Sequence, residues 1–274
     1  MRLFIKYKKE SDGFWILLFA LYCLLMVCAS CRHLVLQPQD STDKIPNELF
    51  SIYAAAVRDA SNPEPEEICF NLTAIVPNNP NLIWKEFDNQ LYVLTVTWVS
   101  NTSYYQGINS QKYYDTGKFL TWVTVVPELK IRCSQPDFND GDLELRLEQL
   151  LGLPPQSKKI AFVEIWVRPQ DIFRPCPDDE ISDTSCDLCL PDDVTATHRE
   201  WFNYLRAESY CKKDNASVKG YPWTQMGYTY DWGNPANEVG LREFIIKRNS
   251  KVVINRIVNT HDYCIRDNDT KLVD

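Results

Sequence analysis

Glu164 is the carboxylate whose surroundings best suit acid–base chemistry. It lies in a predicted strand at 160–167, where side chains alternate between the two faces. One face therefore places Glu164 beside three apolar side chains, Ile160, Phe162 and Trp166. Burial in such a row would raise the pKa of the carboxyl group, which suits a general acid.

Two further carboxylates, Asp171 and Asp231, are candidate partners for Glu164. A pair of carboxylates is the usual equipment of a glycoside hydrolase, so the pattern allows an exported hydrolase. The alternative is structural: Glu164 lies at a sheet edge or forms an ion pair with Arg168 or Arg174. We therefore treat hydrolysis as the second hypothesis, and a protein without catalysis as the first.

Aromatic residues concentrate in the segment Gly220–Gly233, which contains Tyr221, Trp223, Tyr228, Tyr230 and Trp232. In an extended chain, the last three would share one face. Such a row either builds a core or forms a surface on which a ligand, such as a sugar ring, stacks. The long loop 101–118 is also rich in tyrosine, and connections of this length often carry binding function. The segment and the loop together form the predicted ligand surface.

Cysteine spacing offers three kinds of chemistry. Cys186-Asp-Leu-Cys189 is a C-x-x-C motif, which is compatible with disulfides, a redox dithiol or a zinc site. Disulfides are the favoured interpretation, because the N-terminal segment described below indicates export to an oxidising compartment. The candidates are Cys69, Cys133, Cys176, Cys186, Cys189, Cys211 and Cys264.

Histidine and glycine usage excludes several classes of site. The chain has only three histidines, which argues against a histidine-rich metal site, and disulfides are favoured over cysteine-bound zinc, so we expect no metal site. His198 falls on the apolar face of a predicted helix as a core residue. No glycine-rich phosphate-binding motif occurs, and we expect neither a nucleotide nor any other cofactor. The formal net charge of −8 also argues against nucleic-acid binding.

The elements that would position these residues are of mixed type. Helical periodicity predicts three helices, at about 46–60, 140–151 and 193–210. Alternating β-branched and aromatic residues predict six strands, at 68–76, 90–100, 119–126, 160–167, 241–248 and 252–258. Asn249-Ser250 is a candidate tight turn between the last two. We expect an α+β fold with a mostly antiparallel, twisted sheet, about three helices and supporting disulfides.

The N-terminus has the composition of an export signal. Basic residues in 1–13 precede an uncharged apolar run of sixteen residues, Phe14–Ala29. This run ends in Cys28-Ala29-Ser30-Cys31, which resembles the lipobox of bacterial lipoproteins, although Cys28 stands where that motif usually has leucine. The resemblance implies lipidation at Cys31. Ordinary cleavage near Ala29 or Ser30, or an uncleaved anchor, are the alternatives.

These observations predict three parts: a signal or anchor at 1–30, a polar tether at 31–44 and one globular domain at 45–274. The expected protein is exported and attached to a membrane of the cell envelope through its N-terminal segment. Its expected role is structural or the binding of a ligand such as a carbohydrate or cell-wall component.

Overall fold

The part of the chain described by the computed structural model consists of residues 44–106, 113–138, 141–210 and 220–264. The chain divides into two units, Met1–Ile45 and Pro46–Asp274, and the following account concerns the second. Within these described ranges, no helix has both the length and the apolar character needed to cross a membrane.

Several predicted features lie outside the described residues. They are the export segment at 1–30, the lipidation site Cys31 and nearly all of the tether at 31–44, together with Cys211. Lipidation and membrane attachment therefore stay predictions.

The described residues contain five α-helices: α1 (Lys44–Asp59), α2 (Val126–Cys133), α3 (Leu143–Leu150), α4 (Ala196–Tyr210) and α5 (Thr260–Cys264). The expected number of about three was too low. Helices α1, α3 and α4 overlap the three predicted helices, and the side chain of Asp142 caps α3 by accepting a hydrogen bond from the N–H of Leu145 at 3.1 Å. The sequence did not reveal α2, whose apolar start continues a strand-like run, or α5, which is too short to show helical periodicity.

The described strands number ten: β1 (Trp84–Phe87), β2 (Gln90–Val99), β3 (Tyr114–Asp115), β4 (Thr121–Val125), β5 (Ala161–Val167), β6 (Ile172–Phe173), β7 (Tyr228–Tyr230), β8 (Val239–Arg242), β9 (Phe244–Ile246) and β10 (Lys251–Asn259). Eight form one curled sheet in the order β3-β10-β5-β2-β4-β9-β6, with β1 beside β2. Strands β7 and β8 form a second, two-stranded sheet. Every pairing is antiparallel, so the predicted α+β fold with a mostly antiparallel sheet is confirmed.

Both faces of the large sheet are buried. The face of β2 that carries Leu94, Val96 and Trp98 packs on helices α2, α3 and α5. The opposite face carries valines and isoleucines that pack under the irregular segments near Ile75 and Ile181. Because the central strands are covered on both sides, β5 is apolar at every position except Glu164 and is buried throughout.

Three local predictions were wrong, and one of them is the continuous strand at 241–248, which is divided into β8 and β9. Residues 68–76 are irregular rather than a strand. The N–H of Leu72 donates a hydrogen bond to the carbonyl oxygen of Thr184, in the loop between Cys176 and Cys186, at 2.9 Å. Asn249-Ser250 does not close a hairpin, because β5, β2 and β4 lie between β9 and β10 in the sheet. Thr116 joins the connection instead, with its hydroxyl accepting from the N–H of Ser250 at 3.0 Å.

Two disulfides confirm part of the cysteine prediction. Cys133–Cys264 links α2 to α5, and Cys176–Cys186 closes a short loop. Cys69 and Cys189 are the free thiols of the described residues. The C-x-x-C motif is therefore not a dithiol pair, because Cys186 bonds to Cys176 rather than to Cys189.

Candidate functional site

The aromatic segment Gly220–Gly233 divides between core and cavity. Tyr228 and Trp232 are buried, and each anchors its polar edge: Tyr228 Oη donates to Glu67 O at 2.9 Å, and Trp232 Nε1 donates to Leu153 O at 3.0 Å. They belong to different core clusters, and the pairing of β7 with β8 is irregular between Tyr228 and Tyr230. The predicted three-residue row is thus not one continuous surface.

The other three aromatics of this segment, Tyr221, Trp223 and Tyr230, line a cavity of about 670 Å³. Of the thirty described residues that line the cavity, ten are aromatic, although aromatics make up only 12% of the chain. The other aromatic lining residues are Trp98, Tyr104, Tyr105, Tyr114, Phe119, Trp122 and Phe162. The cavity is therefore a concentration of ring surface within the size range of ligand pockets, roughly 300–1,000 Å³.

The cavity reaches the protein surface. Tyr104, Phe119 and Tyr221 line it, and their exposed fractions are 68%, 64% and 54%. Trp98 and Trp223, in contrast, are 6% and 5% exposed, so they lie at depth. A ligand would pass exposed rings at the rim before it met buried rings inside.

Both ends of the tyrosine-rich loop contribute to this cavity. Tyr104 and Tyr105 come from its start and Tyr114 and Thr116 from its end, while residues 107–112 lie outside the described ranges. The rings of Tyr105 and Tyr114 contact each other with centroids 5.4 Å apart. Burial, and secondarily Tyr114, raises the pKa of Tyr105 to about 12. The structure thus brings the predicted loop and part of the predicted aromatic segment to one site.

A close backbone approach holds the aromatic segment against α4. Gly220 has φ +82, and a Cβ atom there would lie 1.7 Å from the carbonyl oxygen of Ser209. This oxygen accepts from the N–H of Tyr221 at 3.3 Å. Only glycine fits this geometry, which places Tyr221 and Ser209 side by side on the cavity wall.

Glu243 is the one carboxylate among the described lining residues. It lies between β8 and β9, where the chain leaves the two-stranded sheet and enters the large one. Trp122 pairs with Ile245 and Val123 with Phe244. Continuing this register by one residue places Glu243 opposite Thr124, on the sheet face that also carries Trp122.

The carboxyl group of Glu243 has no hydrogen bond or ion pair with any other residue in the described part of the chain. Its side chain is only partly accessible, and burial raises its pKa to about 8. At neutral pH most molecules therefore carry a protonated, uncharged Glu243. Thr124 opposite is buried, and its hydroxyl has no hydrogen-bond partner among the residues described.

Lys159 is the cationic lining residue of the described set. Burial lowers the pKa of its ammonium group. Lys159 and Glu243 come from different connections: Lys159 precedes β5, and Glu243 lies between β8 and β9. The described lining of the cavity thus contains one acidic and one basic side chain among its aromatic residues.

Glu164, the leading catalytic candidate, is paired rather than available. Arg256 Nε donates to Glu164 Oε2 and Arg256 Nη2 to Oε1, each at 2.8 Å, and Asn255 Nδ2 donates to Oε2 at 2.7 Å. The arginine comes from β10, where Arg256 is opposite Glu164 in the register. The expected partners Arg168 and Arg174 make other contacts.

The two partner candidates are also held by arginine. Asp231 accepts two hydrogen bonds from Arg146, at 2.8 and 2.7 Å, and Asp171 accepts one from Arg168 Nε at 2.6 Å. Glu164, Asp171 and Asp231 are absent from the described lining of the cavity. The structure does not place a predicted carboxylate pair at the aromatic site.

The described residues form neither a metal site nor a catalytic site built on His198. No group of three or more His, Cys, Asp or Glu side chains converges there as metal ligands. His198 is buried, with Nε2 2.8 Å from Cys176 O and its ring against Phe173 and Trp201. It is a core residue, as the helical pattern indicated.

Comparison of the chain with protein-family models, curated proteins and solved structures gives no match.

Sequence reasoning missed Glu243. The run Leu241–Arg248 predicted one continuous strand, in which an acidic residue is an ordinary exposed position. The break between β8 and β9 turns that position into the cavity wall. The sequence does contain a feature that indicates this site: Glu243 is an acidic residue directly before the apolar run Phe244–Ile246, just as Glu164 lies within an apolar strand.

Proposed function

We propose that this protein is an exported, membrane-tethered binding protein that holds a small molecule in its aromatic cavity and does not catalyse a reaction. The observation that carries the proposal is the convergence of the loop residues Tyr104, Tyr105 and Tyr114 with Tyr221, Trp223 and Tyr230 around one cavity. Convergent aromatic walls with few polar groups are the usual construction of a ligand site.

The walls suit a ligand that contains a ring. Aromatic faces bind flat apolar surfaces, including the C–H faces of sugars, while the edges of Tyr and Trp supply hydrogen bonds. A volume of about 670 Å³ accommodates a mono- or disaccharide, or a compound of similar size. A carbohydrate or a cell-wall fragment is therefore the ligand class we propose.

The contacts of the predicted carboxylates favour binding over hydrolysis. A glycosidase needs two carboxyl groups that face the bond to be cleaved. Glu164 and Asp231 each form two hydrogen bonds with an arginine, and the described lining of the cavity contains the single carboxyl group of Glu243. The hydrolase hypothesis has no supporting observation of its own.

Export to an oxidising compartment is consistent with the disulfides. Cys133–Cys264 and Cys176–Cys186 are of the kind found in exported proteins, whereas cytosolic thiols are usually reduced. The lipobox-like Cys28–Cys31 supplies the proposed attachment to the membrane.

The binding function is testable through the tryptophans of the cavity. Trp98, Trp122 and Trp223 line it, so occupation should change intrinsic fluorescence during titration with cellobiose and with diacetylchitobiose. In Tyr221→Ala and Tyr104→Ala we expect weaker binding, by about tenfold each, from loss of a stacking ring. Tyr204→Ala is the matched control, because Tyr204 is 63% exposed and is not part of the described lining.

Saturable titrations that weaken in the two cavity variants and not in the control would support the function. Identical titration curves for all four proteins, or none that saturates, would contradict it for these sugars. Release of monosaccharide during incubation with either probe would instead establish the hydrolase hypothesis.

A further inference from the structure

The partly accessible Glu243 differs from the buried carboxylates in the described part of the chain. Glu164 is paired with Arg256 and Asp231 with Arg146, while Glu148 accepts hydrogen bonds from the N–H groups of the loop 156–157. Glu243 has no such partner. Burial of an ionised group is costly unless a counter-charge or hydrogen-bond donors accompany it. The protein itself supplies neither to the carboxyl group of Glu243 from its described residues.

Glu243 is placed where a bound ligand could supply the missing counter-charge. The carboxyl group lies on the cavity wall, opposite the unpartnered hydroxyl of Thr124 and on the sheet face of Trp122. Tyr210 is close enough to interact electrostatically with it, but the hydroxyl of Tyr210 is committed to the carbonyl oxygen of Trp223. Lys159 lines the same cavity and Arg206 acts on the same Tyr210, but no cationic side chain of the described residues forms an ion pair with Glu243.

The aromatic residues of the cavity favour a positively charged partner for Glu243. The face of an indole or phenol ring carries negative potential and attracts cations, with tryptophan the strongest. Trp122 and Trp223 line the same cavity as Glu243. Rings and an unpaired carboxylate together form the kind of environment in which ammonium groups are bound.

We propose that the cavity binds an organic cation, a protonated amine or a quaternary ammonium carried on a small ring-bearing body, with the carboxylate of Glu243 as its counter-ion. This inference rests on the proposed binding function and narrows its ligand class to molecules that carry a cationic group, which among carbohydrates are the amino sugars.

Three probes with one shared body test the charge requirement: phenethylamine, 2-phenylethanol and phenylacetate. In titrations of the full chain at pH 7.5, we expect phenethylamine to bind at least about tenfold more tightly than either other probe, as an ion pair with desolvated partners implies. In Glu243→Gln, which keeps the size of the side chain, this preference should disappear while binding of 2-phenylethanol stays within about threefold.

Calorimetry gives a second measurement that does not depend on the variant. Because Glu243 is mostly protonated in the free protein, binding of the amine at pH 7.5 should release a proton, and the enthalpy should depend on the ionisation enthalpy of the buffer. Glu86→Gln is the matched control, since Glu86 is exposed and outside the described lining. It should keep both the preference and the proton release.

The two proposals fail in different ways. If 2-phenylethanol or phenylacetate binds as tightly as the amine, or if Glu243→Gln keeps the preference, the cation inference is overturned while the binding cavity stands. If none of these three probes, and neither cellobiose nor diacetylchitobiose, gives a saturable titration, both the cation inference and the small-molecule function are contradicted.

Discussion

Arg146 of α3 binds both carboxylate oxygens of Asp231, at 2.8 and 2.7 Å, and so joins that helix to the aromatic segment. Asp231 is almost completely buried, and Arg146 is largely so. A carboxylate that the sequence offered as a catalytic partner therefore holds the scaffold of the cavity together.

This pair should dominate the stability of the segment. Asp231→Asn leaves Arg146 charged and poorly paired in a buried position, so we expect a loss of about 3 kcal/mol or more in the free energy of unfolding. Urea denaturation measures this loss. Asp137→Asn is the control, because Asp137 is half-exposed, and its two hydrogen bonds to Arg132 and its longer contact of 3.8 Å with Arg146 Nε should together contribute about 1 kcal/mol or less. Similar losses in both variants would contradict the assignment.

Glu243 should make the protein less stable as the pH rises. Its pKa in the folded state is about 8, above the 4.5 of a solvated glutamate, so between these values the folded state holds more protons than the unfolded state. The stability contributed by this group is present at low pH and falls by about 1.4 kcal/mol per pH unit across that window.

The variant Glu243→Gln removes this dependence. Wild type and variant should be closest in stability near pH 5, and the variant should be the more stable one at pH 8. Subtracting the two profiles isolates Glu243 from Glu67, Glu128 and Asp178, whose pKa values burial also raises. A flat difference across the window would show that Glu243 ionises as a solvated group does.

The two disulfides should differ in their contribution to stability. Cys133–Cys264 spans 131 residues and Cys176–Cys186 spans 10. Because constraint of the unfolded chain grows with loop length, we expect the double serine variant of the first pair to lose about 4–5 kcal/mol and that of the second about 2–3 kcal/mol. Urea denaturation under oxidising conditions measures both. An equal or reversed order would contradict the loop-length argument.

Mutations of the core residues and of the cavity residues in the aromatic segment should differ in their effect on the free energy of unfolding. Tyr228→Ala opens a buried site and should cost roughly 3–5 kcal/mol. Tyr221→Ala truncates a ring that is 54% exposed and should change stability by about 0.5 kcal/mol or less. Thermal and urea unfolding of both variants make the comparison, which fails if Tyr221→Ala is as unstable as Tyr228→Ala.

The N-terminal prediction is open to mass spectrometry. If the lipobox-like sequence operates, the mature protein begins at Cys31, and its first residue carries the added mass of lipid. Cys31→Ser should release the protein from the membrane fraction. An unmodified mature chain that starts at Ser30 or Arg32 would rule out the lipid anchor.

The sequence by itself determined the local elements and the class of the fold. Strands β2, β4, β5 and β10 were predicted because β-branched and aromatic residues alternate along them, and α1, α3 and α4 because their apolar residues repeat with helical spacing. The disulfides were predicted as a class but not in their connectivity, because pairing depends on which loops meet.

Only the tertiary structure decided the site. Glu164 and Glu243 look alike in sequence, each acidic and next to apolar neighbours, yet β10 brings Arg256 to the first and no described residue brings a cation to the second. Which carboxylate is paired depends on strand order, and strand order is set by long-range packing rather than by local periodicity. The same packing decided that Tyr228 and Trp232 are core residues while Tyr221 and Trp223 line the cavity.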